Sequence, residues 1–387
     1  MKKLIKQVIV RLNLIKIFSL PFFLFRFFKI KNNKIVCMNF GNGKGYGDSP
    51  KYIVNELLKN NNEYDIVWSV KNIEDKNFPE GIRTVKIYSL KWFYEMGTAK
   101  IWISNTRQEL FVQKRKKQYY IMTWHSALRL KKIEADAEEY LTEYYKKCAK
   151  HDSKMIDLMI SGSDFSYNTY KNSFWYSGEI LECGTPRCDV LFDELQIDEM
   201  KEQICEKYNI ESNKKIILYA PTFRKANLNE NKDINFDKII DEMGSEYIFF
   251  LRYHPNTKIQ FEDTKNVINV SKYPDMQELI CIADILITDY SGCCFDMLIA
   301  KKPCILYVED LGEYLKKERS LYFSFEELPF PKTKSLEELI SCLKEFDYND
   351  YNLRQEEFSK KIGLYEKGNA SKTIVERIQK IVKEKSI

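Results

Sequence analysis

From Lys34 onward the chain alternates between short apolar runs and longer stretches whose apolar positions recur every three or four residues. The short runs KIVCMNF (34–40), YDIVWSV (64–70), RTVKIYSL (83–90), KIWISNT (100–106), QYYIMTW (118–124) and MIDLMISGS (155–163) are too brief for helices and too apolar for loops. Such runs, bounded by polar or glycine-containing turns, predict buried parallel strands. A charged helical stretch beginning DELQIDEMKEQICEKY (193–208) then interrupts the pattern. The strand-like runs IILYAPT, EYIFFLRYHP, VINVSK, ADILITDYS and KPCILYV resume it from residue 216. Strands alternating with helices predict an α/β fold of two doubly wound, Rossmann-like domains facing a cleft. The expected organisation is a segment 1–33, a first domain 34–192, a linker helix 193–213 and a second domain 214–387. The last helix, SKTIVERIQKIVKE, could cross back onto the first domain.

The first residues follow a different pattern. Leu4, Ile5, Val8, Ile9, Leu12 and Ile15 form one helical stripe, with Lys6, Gln7, Arg11 and Asn13 opposite. SLPFFLFRFF follows, too short and too interrupted at Pro21 to span about 30 Å of hydrocarbon. Charge sharpens this. Residues 1–34 carry nine Lys or Arg and no acid, and taking those nine from the net +5 leaves −4 for the remainder. A basic amphipathic segment lying on an anionic membrane surface is the expectation, with a helix packed on the protein's own core as the alternative. A general nucleic-acid surface is not expected. The 387 residues, 44% of them hydrophobic and 14% aromatic, supply cores for two domains and exclude a disordered chain. Ten cysteines without a C-x-x-C pair read as reduced core thiols.

The candidate chemistry sits where predicted strands end. GNGKGYGDSP (41–50) opens a helix with Gly45, Gly47 and Asp48. Its glycine spacing is not that of a dinucleotide or P-loop motif, so a tight binding loop is expected. His125 follows an apolar strand, with Arg129, Lys131 and Lys132 close behind. A neutral imidazole of ordinary pKa about 6.5 could take a proton from an attacking hydroxyl there, and a core histidine is the alternative. LECGTPRCDVLF (181–192) holds Arg187 and Asp189, which read as a turn with a buried ion pair. LYAPTFR ends in Thr222 and Arg224, and LRYHPN brings Arg252, His254 and Asn256. These groups suit phosphate. In ILITDYSGCC (285–294), Ser291 and Gly292 stand where a helix start offers unpaired amides to an anion, while Asp289 could cap that helix instead. Arg319 comes from a downstream loop that could clamp the same anion.

Taken together these residues resemble the CDP-glycerol glycerophosphotransferase family, the bacterial enzymes that build teichoic-acid and related capsular or cell-surface polyol-phosphate polymers. The likeness spans roughly residues 35–330 and rests on their order: Gly45-Tyr46-Gly47-Asp48, Trp124-His125, Gly184-Thr185-Pro186-Arg187, Tyr219-Ala220-Pro221-Thr222, Arg252 with His254-Pro255, Thr288-Asp289-Tyr290-Ser291, Lys302-Pro303 and Arg319. Two departures stand out: Ser126-Ala127-Leu128-Arg129 replaces a glycine-rich turn, and Gly292 stands where a second serine is usual.

The resemblance implies a glycosyltransferase-B-type fold whose C-terminal domain holds a CDP-activated donor and whose N-terminal domain binds the acceptor. It implies transfer of glycerol or ribitol phosphate from CDP-glycerol or CDP-ribitol to a lipid-linked or polysaccharide hydroxyl, with CMP released, at the cytoplasmic face of the membrane. His125 and His254 become the expected catalytic residues. Arg252, Ser291, Gly292, Arg319, Thr222, Arg224 and Asp289 are expected on the donor phosphates, and Gly45, Gly47, Asp48, Arg129, Lys131 and Arg187 on the acceptor side. No metal or other cofactor is expected, because no Asp-x-Asp pair is present. The alternatives are a nucleotide-sugar glycosyltransferase on the same fold and an inactive membrane-bound partner in a polymer-synthesis complex.

Overall fold

A computed structural model describes residues 15–40, 45–59, 64–73, 77–222, 234–244, 246–253, 263–317 and 320–383. The chain divides into two compact units. The first takes in the described chain up to Ala127, then Ile133–Asp189, and then the stretch from Tyr365 onward. The second is Leu128–Lys132 with Val190–Leu364. The helix Glu194–Tyr208, expected as a linker, thus lies in the second unit. The chain returns to the first unit before the helix Ala370–Lys383.

Seven strands build the first sheet: β1 (Lys31–Met38), β2 (Asp65–Val70), β3 (Ile82–Lys86), β4 (Ala99–Ser104), β5 (Tyr119–Met122), β6 (Leu158–Ser161) and β7 (Glu179–Glu182). Their order is β3-β2-β1-β4-β5-β6-β7, parallel throughout. Both faces are covered, which is why the central strands read as apolar runs. Alternate β1 residues enter two different cores. Val36 and Met38 meet Trp92, Phe93 and Met96 of the helix Leu90–Thr98. Ile35 and Cys37 meet Ile53, Val54 and Leu57 of the helix Asp48–Lys59, together with Ile374, Val375 and Ile378 of the last helix.

The second sheet has six parallel strands: β8 (Lys215–Tyr219), β9 (Tyr247–Leu251), β10 (Val267–Asn269), β11 (Ile285–Thr288), β12 (Cys304–Tyr307) and β13 (Lys332–Thr333). Their order is β10-β9-β8-β11-β12-β13. In each sheet the winding reverses once, between β1 and β4 in the first and between β8 and β11 in the second. A crevice opens at such a switch point outside the carboxyl ends of the strands, and ligands of doubly wound folds bind there.

Among the described residues no helix is long and apolar enough to cross a membrane. The helix Ile15–Phe25 runs through Pro21 instead of breaking there. It is seated on the first unit by Phe22, whose ring meets those of Trp92 and Phe93 edge-on at centroid distances of 5.9 and 5.0 Å. Close approach requires Gly97, where an added Cβ would lie 3.2 Å from that of Phe25. The ten cysteines are free thiols, all but Cys183 and Cys342 of them buried.

Candidate active site

His125 stands three residues beyond the end of β5, the strand next to the first switch point. Its Nδ1 lies 3.1 Å from the carbonyl oxygen of Asn105, just past β4. A carbonyl only accepts, so in the neutral ring Nδ1 carries the hydrogen and the lone pair is on Nε2. Phe40, just past β1, stacks on the imidazole at a centroid distance of 4.4 Å and 22° between planes. The Trp124 ring also packs against it, tilted by 37° at a centroid distance of 4.3 Å. Asn39 joins these supports, its Oδ1 accepting from Phe40 N–H at 2.7 Å and from Asn105 Nδ2 at 2.8 Å. Three strand ends therefore fix one ring in place and in tautomer.

Trp124 adopts φ +56°, a left-handed conformation unusual for a bulky residue. Packing holds it there. Its ring meets Phe174 edge-on at 4.8 Å, and the Arg107 guanidinium lies 5.7 Å from it. Arg107 is itself buried between Glu134 at 2.8 Å and Asp152 at 3.2 Å. Burial pushes the Asp152 carboxyl up to about 6, with Arg107 opposing the shift. Strain of this kind survives only where the surroundings over-determine it, as at functional sites.

On the same sheet end, Asp48 (φ +59°) opens the helix Asp48–Lys59, and its Oδ2 lies 3.8 Å from Arg187 Nη1. Gly45 has φ +69°, which glycine adopts without strain, while Gly47 is buried with an added Cβ 3.6 Å from Asn39. Glycine loop and Arg187 therefore belong to one corner of the first unit. The pair expected within LECGTPRCDVLF takes another form. Arg187 reaches Asp48, and the Asp189 carboxylate accepts from Ala370 N–H at 2.9 Å and Ser371 N–H at 2.7 Å.

In the second unit Thr222 and Asp289 meet across the second switch point. Asp289 Oδ1 accepts from Thr222 N–H at 2.9 Å, from Thr222 Oγ1 at 2.6 Å and from Tyr290 N–H at 2.5 Å. Asp289 is thus the brace between two strand ends, and Gly292 stands at the N-cap of the helix Cys293–Ile299. Gly292 supplies no side-chain cap, and the Cys293 N–H has Ser291 Oγ only at 3.5 Å. A Cβ at position 292 would find its nearest neighbour, the Leu128 carbonyl, at 3.7 Å, so the serine usual there would also fit. Arg252, at the end of β9, donates from Nη1 to the carbonyls of Val270 at 3.1 Å and Tyr273 at 2.6 Å. Its burial lowers the guanidinium pKa. Tyr290 stacks on Tyr314 at 3.5 Å and donates to Asp310 at 2.7 Å, fixing the start of the chain that leads to Arg319.

Arg129 and Lys131, expected on the acceptor side, lie in the five-residue segment that groups with the second unit. Lys132 N–H donates to the Ser320 carbonyl at 2.9 Å, and Tyr322 N–H to the Leu130 carbonyl at 2.8 Å. Lys131 Nζ sits 5.1 Å from the Tyr314 ring centre. His254, Arg224 and Arg319 lie outside the described residues. Among the described residues no group of three or more His, Cys, Asp or Glu could hold a metal ion. Sequence reasoning passed over Asn105 and Phe40, which act through a backbone carbonyl and a ring face and leave no motif.

A profile of the CDP-glycerol:poly(glycerophosphate) glycerophosphotransferase family matches residues 21–380. The chain belongs to that family. It is 31% identical over 387 residues to a teichoic acid poly(glycerol phosphate) polymerase of Bacillus spizizenii, covering 94% of this chain and 96% of that one. It is 33% identical over 373 residues to the enzyme of the same description from Staphylococcus epidermidis, and there 92% of this chain spans only 52% of the relative's length. The fold is similar to a solved structure of the wall teichoic acid polymerase TagF, with TM-score 0.87, 30% identity, and coverage of 100% of this chain and 98% of that one.

Proposed function

We propose that this member of the family transfers glycerol phosphate, or ribitol phosphate, from its CDP-activated form to a hydroxyl of a lipid-linked or polysaccharide acceptor and releases CMP. The observation that carries the reading is the His125 imidazole, set at a strand-end crevice with its lone pair on Nε2. Family membership and the names of the relatives support the donor. The acceptor oxygen attacks the phosphorus on the polyol side of the pyrophosphate while Nε2 takes the hydroxyl proton. A new P–O bond forms to the acceptor, and the bond to the bridging oxygen breaks, its electron pair leaving on CMP. A positioned base is worth typically ~10²–10⁴-fold. Arg252, His254, Ser291, Gly292, Arg319, Thr222 and Arg224 belong to the donor side, where cations and backbone amides offset the charge developing on the departing phosphate. Gly45, Gly47, Asp48 and Arg187 belong to the acceptor side. No metal or cofactor enters this scheme.

The two parallel-sheet units correspond in this reading to the halves of a glycosyltransferase-B-type fold, and the TagF likeness supports that assignment. The helix Ile15–Phe25 supports a peripheral membrane location, and a nucleotide-activated donor places it in this reading at the cytoplasmic face. Ile17, Phe18, Leu20, Phe23 and Leu24 are exposed on it, Phe27 just beyond is 90% exposed, and Arg26, Lys29 and Lys31 follow closely. Apolar side chains of this size beside cations favour an anionic interface. Loss of sedimentation with anionic vesicles in a Leu24→Asp/Phe27→Asp variant tests the location, and full retention would refute it.

The activity is tested by nucleotide release in parallel, CMP from CDP-glycerol and CDP-ribitol and UDP from UDP-glucose, with bacterial membranes as acceptor. Release from one CDP-polyol, abolished in His125→Ala and His254→Ala, is the expected result. Turnover of UDP-glucose alone would replace this reading with the glycosyltransferase, and no turnover of any donor with the inactive partner.

A further inference from the structure

Glu366 lies where the chain re-enters the first unit, and nothing in the reaction scheme uses it. Tyr365 N–H donates to the Gly162 carbonyl at 3.0 Å, and Glu366 Oε2 accepts from Thr185 N–H at 2.8 Å. The residue as a whole keeps some contact with solvent, but its Oε1 is buried without a hydrogen-bond partner. Two glycines make room for this carboxyl. A Cβ on Gly162 would fall 1.9 Å from Oε1, and one on Gly184 2.8 Å from Oε2. Gly184 also has φ +92°, a conformation suited to glycine. The turn so held continues through Pro186 to Arg187, which faces Asp48 at the start of the helix Asp48–Lys59.

We propose that Glu366 is a positioning residue: it clips the returning C-terminal segment onto the 184–187 turn and thereby sets where Arg187 meets Asp48. The inference rests on the reading above that this corner serves the acceptor.

The groups around the carboxyl decide how it behaves with pH. Arg187 and Asp189 act on it from the turn and Cys183 from just past β7, with Asp48 beyond Arg187. Burial pushes Glu366 up to about 8; its bonds to Thr185 and the Arg187 charge oppose the shift, and Asp189 adds to it. Burial also raises Cys183 and Asp189. At neutral pH the clip is therefore a neutral acid. Because its folded pKa lies above the unfolded one, its stabilisation is complete at low pH and is lost as pH rises through about 8.

The test is the pH profile of kcat/KM for the acceptor in CMP release from CDP-glycerol, using vesicles that carry a lipid-linked glycerophosphate acceptor. Between about pH 7 and pH 9 the wild type should lose about tenfold more than E366Q, which keeps the neutral hydrogen bond and cannot ionise. E366A should be impaired at both pH values and E366Q rescued at the lower. Parallel profiles for wild type and E366Q, or an E366Q as impaired as E366A at pH 7, would overturn the clip. Thermal unfolding of wild type and E366Q over the same range needs no activity. The wild-type Tm should fall relative to E366Q as pH rises, and a constant difference would again overturn the proposal. A wild type that released no CMP would sink the functional reading alone, leaving the unfolding comparison to decide the clip.

Discussion

Replacing Asp289 by alanine separates a brace from a carboxylate that faces the donor phosphates, because the two roles predict opposite signs for donor binding. The carboxylate accepts from the Thr222 amide and hydroxyl and from the Tyr290 amide, at 2.9, 2.6 and 2.5 Å. Asp289 is 5% exposed, so water is poorly placed to replace it. A hydrogen bond to a charged group contributes roughly 1.5–3 kcal/mol, and each buried donor left unsatisfied costs roughly 1–3 kcal/mol. Allowing for partial relaxation, Asp289→Ala should cost about 3 kcal/mol. For a unit of this size that is a Tm lower by roughly 6–12 °C. Asp289→Asn keeps one acceptor oxygen and should lose about half as much. The assay is scanning calorimetry of the second unit's transition, with CDP-glycerol titrated into the same variants. The brace also predicts weaker donor binding, since Thr222 and the 290–292 turn lose their common anchor. A carboxylate facing pyrophosphate would instead repel it, and its removal would tighten binding. A variant with unchanged Tm and tighter donor binding would refute the brace.

Phe40→Ala removes the ring stacked on His125 and should lower kcat several-fold with little change in donor KM, since an aromatic pair contributes about 0.5–1.5 kcal/mol; an unchanged kcat contradicts the stacking role. Asp152 has its folded pKa raised to about 6, so the stability it contributes as a neutral acid is lost as pH climbs from about 4 to about 6. Denaturation of Asp152→Asn across that range should lack a loss on the order of 2–3 kcal/mol that the wild type shows, and parallel curves would contradict the shift. Arg107→Ala leaves Glu134 and Asp152 buried without their cation and should cost ~3–5 kcal/mol in the same assay, with a loss below ~1 kcal/mol counting against the network.

The strands most legible in the sequence are the ones buried on both faces. Ile35–Met38 of β1 and most of β4, β5, β8 and β11 form buried, largely apolar runs. At the sheet edges that signature weakens: β3 and β10 still show short apolar runs, but β7 and β13 do not. β7, Glu179–Glu182, shows two exposed and two half-buried residues at the rim of its sheet, and β13 has only two residues. Neither produces an apolar run. Residues at strand ends, such as His125, Thr222 and Asp289, stood out because polar chemistry directly after a buried strand is conspicuous. The supports of His125 did not, since a backbone carbonyl at Asn105 and a ring face at Phe40 depend on three strands being adjacent. Glu366 was equally silent. It lies 181 residues from Thr185, and only the return of the chain to the first unit brings the two together.

The most direct test of the account is the single-turnover rate of CMP formation from CDP-glycerol by His125→Ala and wild type, measured with the donor affinity of each. A fixed imidazole acting as base predicts a rate lower by ~10²–10⁴-fold with affinity close to wild type. A near-wild-type rate, or a loss explained wholly by weaker donor binding, would contradict it.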